Sequence, residues 1–168
     1  MRCSARTLLS LALLLGSASC AGTGEELTAS GKGFPKPSIE FPATSPSGSV
    51  QTAVLTIENP GPGDIDSLFV TFVLASPLAG EDLPAPIANG GPGGKDPNVI
   101  SISPKPVAVD ATGVNYRFEA LAEGETTTIT FELRVPDQPG PAANSVLVSD
   151  GAEIERARGV RLQTEVER

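Results

Sequence analysis

Short runs in which apolar and polar side chains alternate dominate this sequence from residue 38 onward. The two clearest runs, 114–120 and 127–135, are separated by a short polar segment that contains Gly124. Strict alternation places the apolar set of each run on one face of a pleated strand. The pattern predicts an antiparallel β-hairpin over 114–135, with its apolar face inward and its tip acting as a turn. The predicted core residues of this hairpin are Tyr116, Phe118, Ile129, Phe131 and Leu133.

Other runs of the same kind predict further strands. The run at 67–75 is apolar on both faces, which is typical of a central strand that is covered on both sides. The C-terminal stretch 152–168 has the composition of a helix, but its alternation favours a return strand with a bulge near Gly159. About seven or eight strands without helical segments between them predict an all-β, Ig-like antiparallel β-sandwich of roughly 130 residues. The remaining predicted strands are 38–41, 50–59, 98–103 and 144–150.

The least regular stretch is 77–97, in which ten residues are Gly or Pro. Its composition offers few apolar anchors, so disorder is the expected state. A long loop in a compact domain can also be functional. The segment is therefore kept as an alternative contact surface for a solute or a glycan.

The N-terminal segment 1–19 has the features of an export signal. Arg2 and Arg6 precede a short leucine-rich stretch, and small residues follow it. The apolar stretch is too short to span a bilayer. Residues 20–37, rich in Gly, Ser, Thr and Pro, are predicted to be a flexible tether, and the sandwich domain is expected at 38–168.

Cys20 directly follows this leader. Cys3 is the other cysteine and lies inside the leader, so the exported chain can form no internal disulfide. Ala18 and Ser19 before Cys20 resemble the lipobox of bacterial lipoproteins, in which the cysteine is diacylated and becomes the mature N terminus. Ser17 departs from that pattern, where Leu is usual, and ordinary cleavage after Ser19 or after Ala21 remains the alternative.

The lipobox resemblance implies a location. The chain would be held on a membrane by lipid on Cys20, because several acyl chains anchor a protein stably. Ala21 rather than Asp follows the cysteine, which in diderm bacteria of the proteobacterial kind resembles sorting to the outer membrane. The expected location is therefore the cell envelope.

The order of motifs in 48–150 resembles bacterial Ig-like surface domains of the CARDB type (cell-adhesion-related domain in bacteria). The features that match are a strand ending at Asn59 before a Gly-containing turn, the strand 68–74, the aromatic strand 116–121, the turn Leu121–Glu125 and the Thr-rich strand 126–136. The resemblance implies an envelope or extracellular role in adhesion, display or assembly. It supplies no catalytic or binding residue.

Composition excludes most catalytic chemistry. The chain has no His, and its only Met is Met1. Triads of Ser, His and Asp, and metal sites based on His, are therefore absent from the sequence. Paired carboxylates for glycoside hydrolysis remain at Glu81/Asp82 and Asp64/Asp66, but there is no Trp to stack on a sugar. We expect no enzyme and no cofactor. A net charge of −8 without a basic stripe also argues against nucleic acid as a partner.

Two sets of charged residues could each form a binding site, but each also has a simpler explanation as solvent-exposed charges. Asp64 and Asp66 lie in a Gly- and Pro-rich turn and could donate oxygen ligands to Ca²⁺, although a solvated acidic turn is the favoured interpretation. Arg156, Arg158 and Arg161 could form a small basic patch, but glutamates are interspersed with them. The sequence therefore predicts a non-catalytic module of the bacterial envelope that binds an unidentified protein or has a structural role.

Overall fold

The structure, a computed structural model, describes residues 33–151 and 156–168. The predicted signal peptide, Cys20 and most of the tether lie outside these residues. Within the described part of the chain, no helix is long and apolar enough to cross a membrane. The strands are β1 (Lys36–Glu40), β2 (Thr44–Pro46), β3 (Val50–Glu58), β4 (Leu68–Leu74), β5 (Val99–Ser103), β6 (Ala108–Val109), β7 (Asn115–Phe118), β8 (Thr126–Arg134), β9 (Gly140–Asp150) and β10 (Arg158–Glu167).

These strands form an all-β sandwich of two sheets, as predicted. One sheet has the order β1-β3-β8-β5, and the other has the order β2-β10-β9-β4-β7-β6. All pairs are antiparallel except β2 with β10, which run parallel. The ten strands exceed the predicted seven or eight because β2 and β6 have only three and two residues. Such short strands leave almost no periodicity in a sequence.

The hairpin predicted over 114–135 is wrong. β7 pairs with β4 and β6 in the six-stranded sheet, whereas β8 pairs with β3 and β5 in the four-stranded sheet. The chain crosses from one sheet to the other between them. Alternation could not distinguish these arrangements, because an inward apolar face is needed in both.

The predicted core residues are nevertheless confirmed. Tyr116 and Phe118 enter from one sheet, and Ile129, Phe131 and Leu133 enter from the other; all are buried. Phe131 is fully buried, and its ring meets that of Phe72 edge to face at 5.2 Å between centroids. Edge-to-face aromatic contacts of this kind stabilise a core beyond simple burial.

β4 is a central strand, as predicted, between β9 and β7. One face is buried, but the other is only half-buried and Leu74 at the end of the strand is 67% exposed, so the predicted cover on both sides is only partial. The predicted return strand is confirmed as β10, although the connection at 152–155 lies outside the described residues. The bulge predicted near Gly159 is wrong, since β10 pairs with β9 from Arg158 to Val166 without a shift in register.

The segment 77–97 is not the disordered loop that its composition predicts. Ala85 bridges β9 at Ala142, beyond the point where β4 ends, and Ile87 and Ala88 are buried in the core. The buried side chain of Asn144 holds this part: its Oδ1 accepts hydrogen bonds from the Ile87 and Ala88 N–H groups at 2.9 and 2.8 Å. One amide in β9 therefore fixes the backbone of this segment beside its buried side chains.

Candidate functional site

A groove opens on the side of the sandwich where β5 and β6, the edge strands of the two sheets, lie near each other. We call it the edge groove; its volume is about 750 Å³. Three of the exposed large apolar side chains of the protein, Ile100, Val107 and Val109, lie on or between these strands. Exposed apolar side chains that gather at one place are more informative than scattered ones. The groove is lined mainly by Pro97, Val99, Ile102, Pro106, Val109 and Tyr116, with Lys95 and Lys105.

The apolar lining of the edge groove results from an irregularity in β5. Val99 pairs with Leu133 and Ser101 pairs with Glu132, so Ile100 is the extra residue of a β-bulge. Val99 and Ile102 both pack against the core, and Ile100 is 44% exposed. The bulge therefore displays an isoleucine beside two half-buried apolar side chains.

Two interlocking turns close one end of the groove. The buried carboxylate of Asp96 accepts hydrogen bonds from the N–H groups of Asn89, Gly90 and Asn98 at 2.7, 2.6 and 2.8 Å. Gly90 has a φ of 73° and lies against the carbonyl oxygen of Thr112, leaving no space for a Cβ atom. The glycine-rich part of 77–97 thus forms a rigid wall of the groove.

Tyr116 forms the floor of the groove. Its hydroxyl donates a hydrogen bond of 2.7 Å to the carbonyl oxygen of Gly113. Burial, with a smaller contribution from the charges of Asp96 and Asp110, raises the pKa of Tyr116. The tyrosine therefore stays neutral and acts as a structural donor.

Asp110 caps the second of the two interlocking turns, residues 110–113. Its slight burial acts to raise its pKa, but hydrogen bonds from the Thr112 hydroxyl and from the backbone N–H groups of Gly113 and its neighbours outweigh this, so that the pKa of Asp110 is lowered. Its carboxylate accepts the Gly113 N–H at 2.9 Å. This carboxylate thus has partners within its own turn.

Charged groups of both signs surround the edge groove. Lys95 and Lys105 line it, and so does the buried Asp96, whose carboxylate accepts three N–H groups. Glu132 lies beside the lining, since its carboxylate accepts a hydrogen bond of 2.8 Å from the Ser101 hydroxyl. The groove therefore combines an apolar floor with a rim of mixed charge.

A second cleft, of about 440 Å³, lies between the first part of 77–97 and the end of β10. Glu81 and Asp82 line it, opposite Arg161 and Gln163. The Arg161 guanidinium donates hydrogen bonds to the Gln163 side chain at 2.7 Å and to the Ser76 carbonyl at 2.9 Å. This cleft gives the alternative of solute or glycan binding a definite place.

Asp64 and Asp66 are not brought together with other ligands. Both are exposed on either side of the buried Ile65, and the Asp64 Oδ1 accepts the N–H of Glu123 at 2.9 Å. Among residues 33–151 and 156–168, no three acidic, His or Cys side chains lie close enough to hold a metal ion. Asp64 therefore joins two turns through this hydrogen bond.

The two joined turns are the ones that carry the CARDB-like motifs. The Asn59 side chain is fully buried and donates hydrogen bonds to the carbonyl oxygens of Gly63 and Leu121 at 3.0 and 2.9 Å. The Gly124 N–H bonds the Asn59 carbonyl oxygen at 2.8 Å, and Glu123 accepts the Gly63 N–H at 3.0 Å. The asparagine and the Leu-x-x-Gly-Glu turn thus form one unit that ties the sheets together.

The three arginines near the C terminus do not form one patch. Arg156 and Arg158 lie over the ring of Phe34, with guanidinium carbons 4.4 and 5.6 Å from its centroid. Arg161 points instead to the second cleft. Stacking of cations on an aromatic ring accounts for the first two residues.

The fold defined by these sheets is an Ig-like, all-β sandwich with one open side. No protein-family model matches the sequence. A search among curated proteins finds no match either.

Solved structures with a similar fold include the crystal structure of the CARDB domain of the PF1109 protein from Pyrococcus furiosus, in complex with di-metal ions. Its identity to this chain is 14% and the TM-score is 0.45, and the match covers 82% of this chain and 92% of that one. A second is the alkylpurine DNA glycosylase AlkC from Pseudomonas fluorescens, bound to DNA containing an abasic site analog (16%, TM-score 0.41, 81% of this chain and 31% of that one). A third is β-glucosidase from Listeria innocua in complex with glucose (16%, TM-score 0.39, 81% and 16%). At these values the likeness concerns the fold alone.

Proposed function

We propose that this protein is an exported, lipid-anchored and non-catalytic module that binds a protein partner at the bacterial cell envelope. The observation that carries the binding role is the edge groove, where Ile100 and Val109 are exposed beside an apolar floor. Apolar patches rimmed by polar groups are typical of protein contact sites.

The anchor is supported by the sequence of the leader. Cleavage of the leader 1–19 during export would leave Cys20 at the mature N terminus, with 21–32 as a spacer before the first described residue, Gly33. Incorporation of labelled palmitate tests this part. Wild type and Cys3→Ala should carry the label, and Cys20→Ala should lose it. An unlabelled wild type would refute the anchor.

Partner binding is tested by placing a photo-crosslinking amino acid at Ile100 in envelope-containing cells. Val50 is a matched control, because it is also apolar, also on a strand and also 44% exposed, but it lies on β3 outside the groove lining. We expect one defined protein adduct from position 100, which disappears when Val109→Asp is combined with the probe, and no such adduct from position 50. Equal adducts from both positions would contradict the proposal.

The second candidate function uses the cleft formed by Glu81, Asp82, Arg161 and Gln163. Its polar groups could hydrogen-bond a small solute or a glycan, whereas the edge groove is mainly apolar. If this second function is right, Arg161→Ala should abolish binding on a glycan array. If the preferred function is right, the same variant should leave the crosslink from position 100 unchanged.

A further inference from the structure

We propose that Asn89 is a site of spontaneous deamidation, and that the carboxylate of Asp96 keeps this site unreactive while the wall of the edge groove is intact. The reaction needs no enzyme and no co-reactant other than water. The proposal goes beyond the proposed function, because it concerns how long the groove wall survives and not what the groove binds. Three observations support it: the sequence at 89–90, the exposure of the Asn89 side chain and the hydrogen bonds of the backbone there.

Asn89 and Gly90 form the only Asn-Gly sequence in the chain. In such a pair the backbone nitrogen of the glycine can attack the side-chain amide carbon of the asparagine, and a glycine has no Cβ atom to hinder the approach. The Asn89 side chain is exposed, so water reaches it. Each of the other four asparagines precedes a residue with a side chain, namely Pro60, Val99, Tyr116 or Ser145.

Deamidation of Asn89 would pass through a five-membered ring. A bond forms between the Gly90 nitrogen and the Asn89 Cγ. The Gly90 nitrogen loses its proton, and the amide nitrogen of Asn89 takes up a proton and leaves as ammonia. Water then adds to one of the two ring carbonyls and opens the ring. The product at position 89 is aspartate, or isoaspartate where the backbone now runs through the side chain.

In the folded protein the nitrogen that must attack is already bound. The Gly90 N–H donates to the Asp96 Oδ2 at 2.6 Å, and the Asn89 N–H donates to the same oxygen at 2.7 Å. Asp96 is 7% exposed, so little water competes for these hydrogen bonds. The attacking nitrogen must also give up its proton, and a negative charge beside it opposes that loss.

The same hydrogen bonds fix the backbone between the two residues. Successive N–H groups converge on one carboxylate oxygen in a turn whose second residue is left-handed, and Gly90 has a φ of 73°. The next N–H, of Gly91, donates to the Thr112 carbonyl oxygen at 2.9 Å. Ring closure needs the Gly90 N–H to leave the carboxylate and the backbone to rotate. Asn89 therefore reacts only when this turn opens.

Deamidation would damage the groove wall permanently. Either product carries a new carboxylate close to that of Asp96, and like charges at short range repel. Isoaspartate also lengthens the backbone between the two N–H groups that the Asp96 Oδ2 accepts. Since ammonia is lost, refolding does not reverse the reaction. The site thus records how long the turn has been open.

The test follows deamidation in the exported chain, residues 20–168, with Cys20→Ala so that no lipid is attached. Peptide mass spectrometry measures the loss of the Asn89 amide, and hydrogen exchange of the Gly90 N–H measures opening of the turn. In the urea-unfolded chain, Asn89 should react faster than every other asparagine. In the folded chain it should react at least about tenfold more slowly than in the unfolded one, because opening breaks two hydrogen bonds to a charged group. Equal rates in the folded and unfolded chains would overturn the proposal.

Asp96→Asn tests the role of the carboxylate. The introduced amide precedes Pro97, whose nitrogen has no hydrogen, so it adds no reactive pair of its own. Deamidation of Asn89 in this folded variant should be at least about fivefold faster than in folded wild type. Asp64→Asn is the matched control, because Asp64 also accepts a backbone N–H, from Glu123 at 2.9 Å, and it should react at the wild-type rate. An unchanged rate in Asp96→Asn, or equal acceleration in both variants, would refute the protection by Asp96.

If Asp96→Asn does not fold, wild type in urea concentrations below its unfolding transition provides the same test. The rate of deamidation at Asn89 and the exchange rate of the Gly90 N–H should rise together. A deamidation rate that stays constant while the Gly90 N–H exchanges faster would contradict the proposal. Chain that is deamidated in urea and then refolded should exchange its Gly90 N–H at least about tenfold faster than intact chain, and equal protection would contradict the damage to the wall.

Discussion

Replacing Asn144 with alanine should release the segment that walls the edge groove. Asn144 lies on β9 and is fully buried. Its Oδ1 accepts two hydrogen bonds from the segment, and its Nδ2 donates to the carbonyl oxygens of Ala88 at 2.8 Å and Val73 at 3.1 Å. The amide thus joins β4, β9 and the 77–97 segment at one point.

The magnitude follows from these four hydrogen bonds. A buried hydrogen bond contributes about 1 kcal/mol net, and a buried group left without a partner costs about 1–3 kcal/mol. A water molecule that enters the vacated space would restore part of the loss. We therefore expect Asn144→Ala to lower the free energy of unfolding by about 3 kcal/mol, which is a large fraction of the 5–15 kcal/mol typical of a domain.

Urea unfolding measures the global effect, and amide hydrogen exchange at Ile87 and Ala88 measures the local one. Asn115→Ala is the matched control: Asn115 is half-buried on β7 and accepts one hydrogen bond, from the Thr71 hydroxyl at 3.2 Å. It should lose less than about 1 kcal/mol. If Asn144→Ala loses no more than this control, or if the two amides stay as protected as in wild type, the anchoring role is refuted.

Three further perturbations test the core, the groove wall and its turn. Phe131→Ala should destabilise the domain by about 3–5 kcal/mol in urea unfolding, whereas Phe69→Ala on the half-buried outer face of β4 should lose less; a loss well under 1 kcal/mol at Phe131 would contradict its place in the core. Gly90→Ala should destabilise the domain more than Gly93→Ala by more than about 1 kcal/mol. Both glycines have a positive φ, but an added Cβ would meet a neighbouring atom only at Gly90. Equal melting temperatures of the two variants would refute the close approach at Gly90. Because the pKa of Asp110 is lowered in the folded protein, the ionised carboxylate stabilises the fold fully above the ordinary pKa of about 3.9, and this stabilisation is lost as the pH falls through the lower folded value. The difference in unfolding free energy between wild type and Asp110→Asn should therefore shrink below about pH 4. A difference that does not change with pH would contradict this.

The sequence pattern predicted which faces of the strands are buried but not which strands are neighbours. Tyr116 and Phe131 face the core from opposite sheets, with ring centroids 5.9 Å apart. An alternating run records only that one face avoids water, and that requirement is the same in a hairpin and in a crossing between sheets. The glycine between the runs, Gly124, belongs to the unit built around Asn59 rather than to a hairpin turn.

The order of the segment 77–97 could not be predicted from its own composition. One of its anchors, Asn144, lies outside the segment on β9, and another, Asp96, lies within it; both accept hydrogen bonds from backbone N–H groups of the segment. Backbone groups are the same in every sequence, so composition does not show which side chain satisfies them. The edge groove was missed for a related reason: β5 and β6 belong to different sheets, and only the fold brings Ile102 and Val109 to one opening.

The connectivity of the sheets has a consequence for the order of folding. The central strands β8 and β9 lie in the last third of the chain, and they pair with β3 and β4 from its first half, so that Val50 meets Arg134 and Leu68 meets Asp150. Neither sheet can close before the ribosome has released most of the chain. Pairing over such separations is slow compared with the formation of local hairpins. We therefore expect the two sheets to form only once the C-terminal strands β8 and β9 are present.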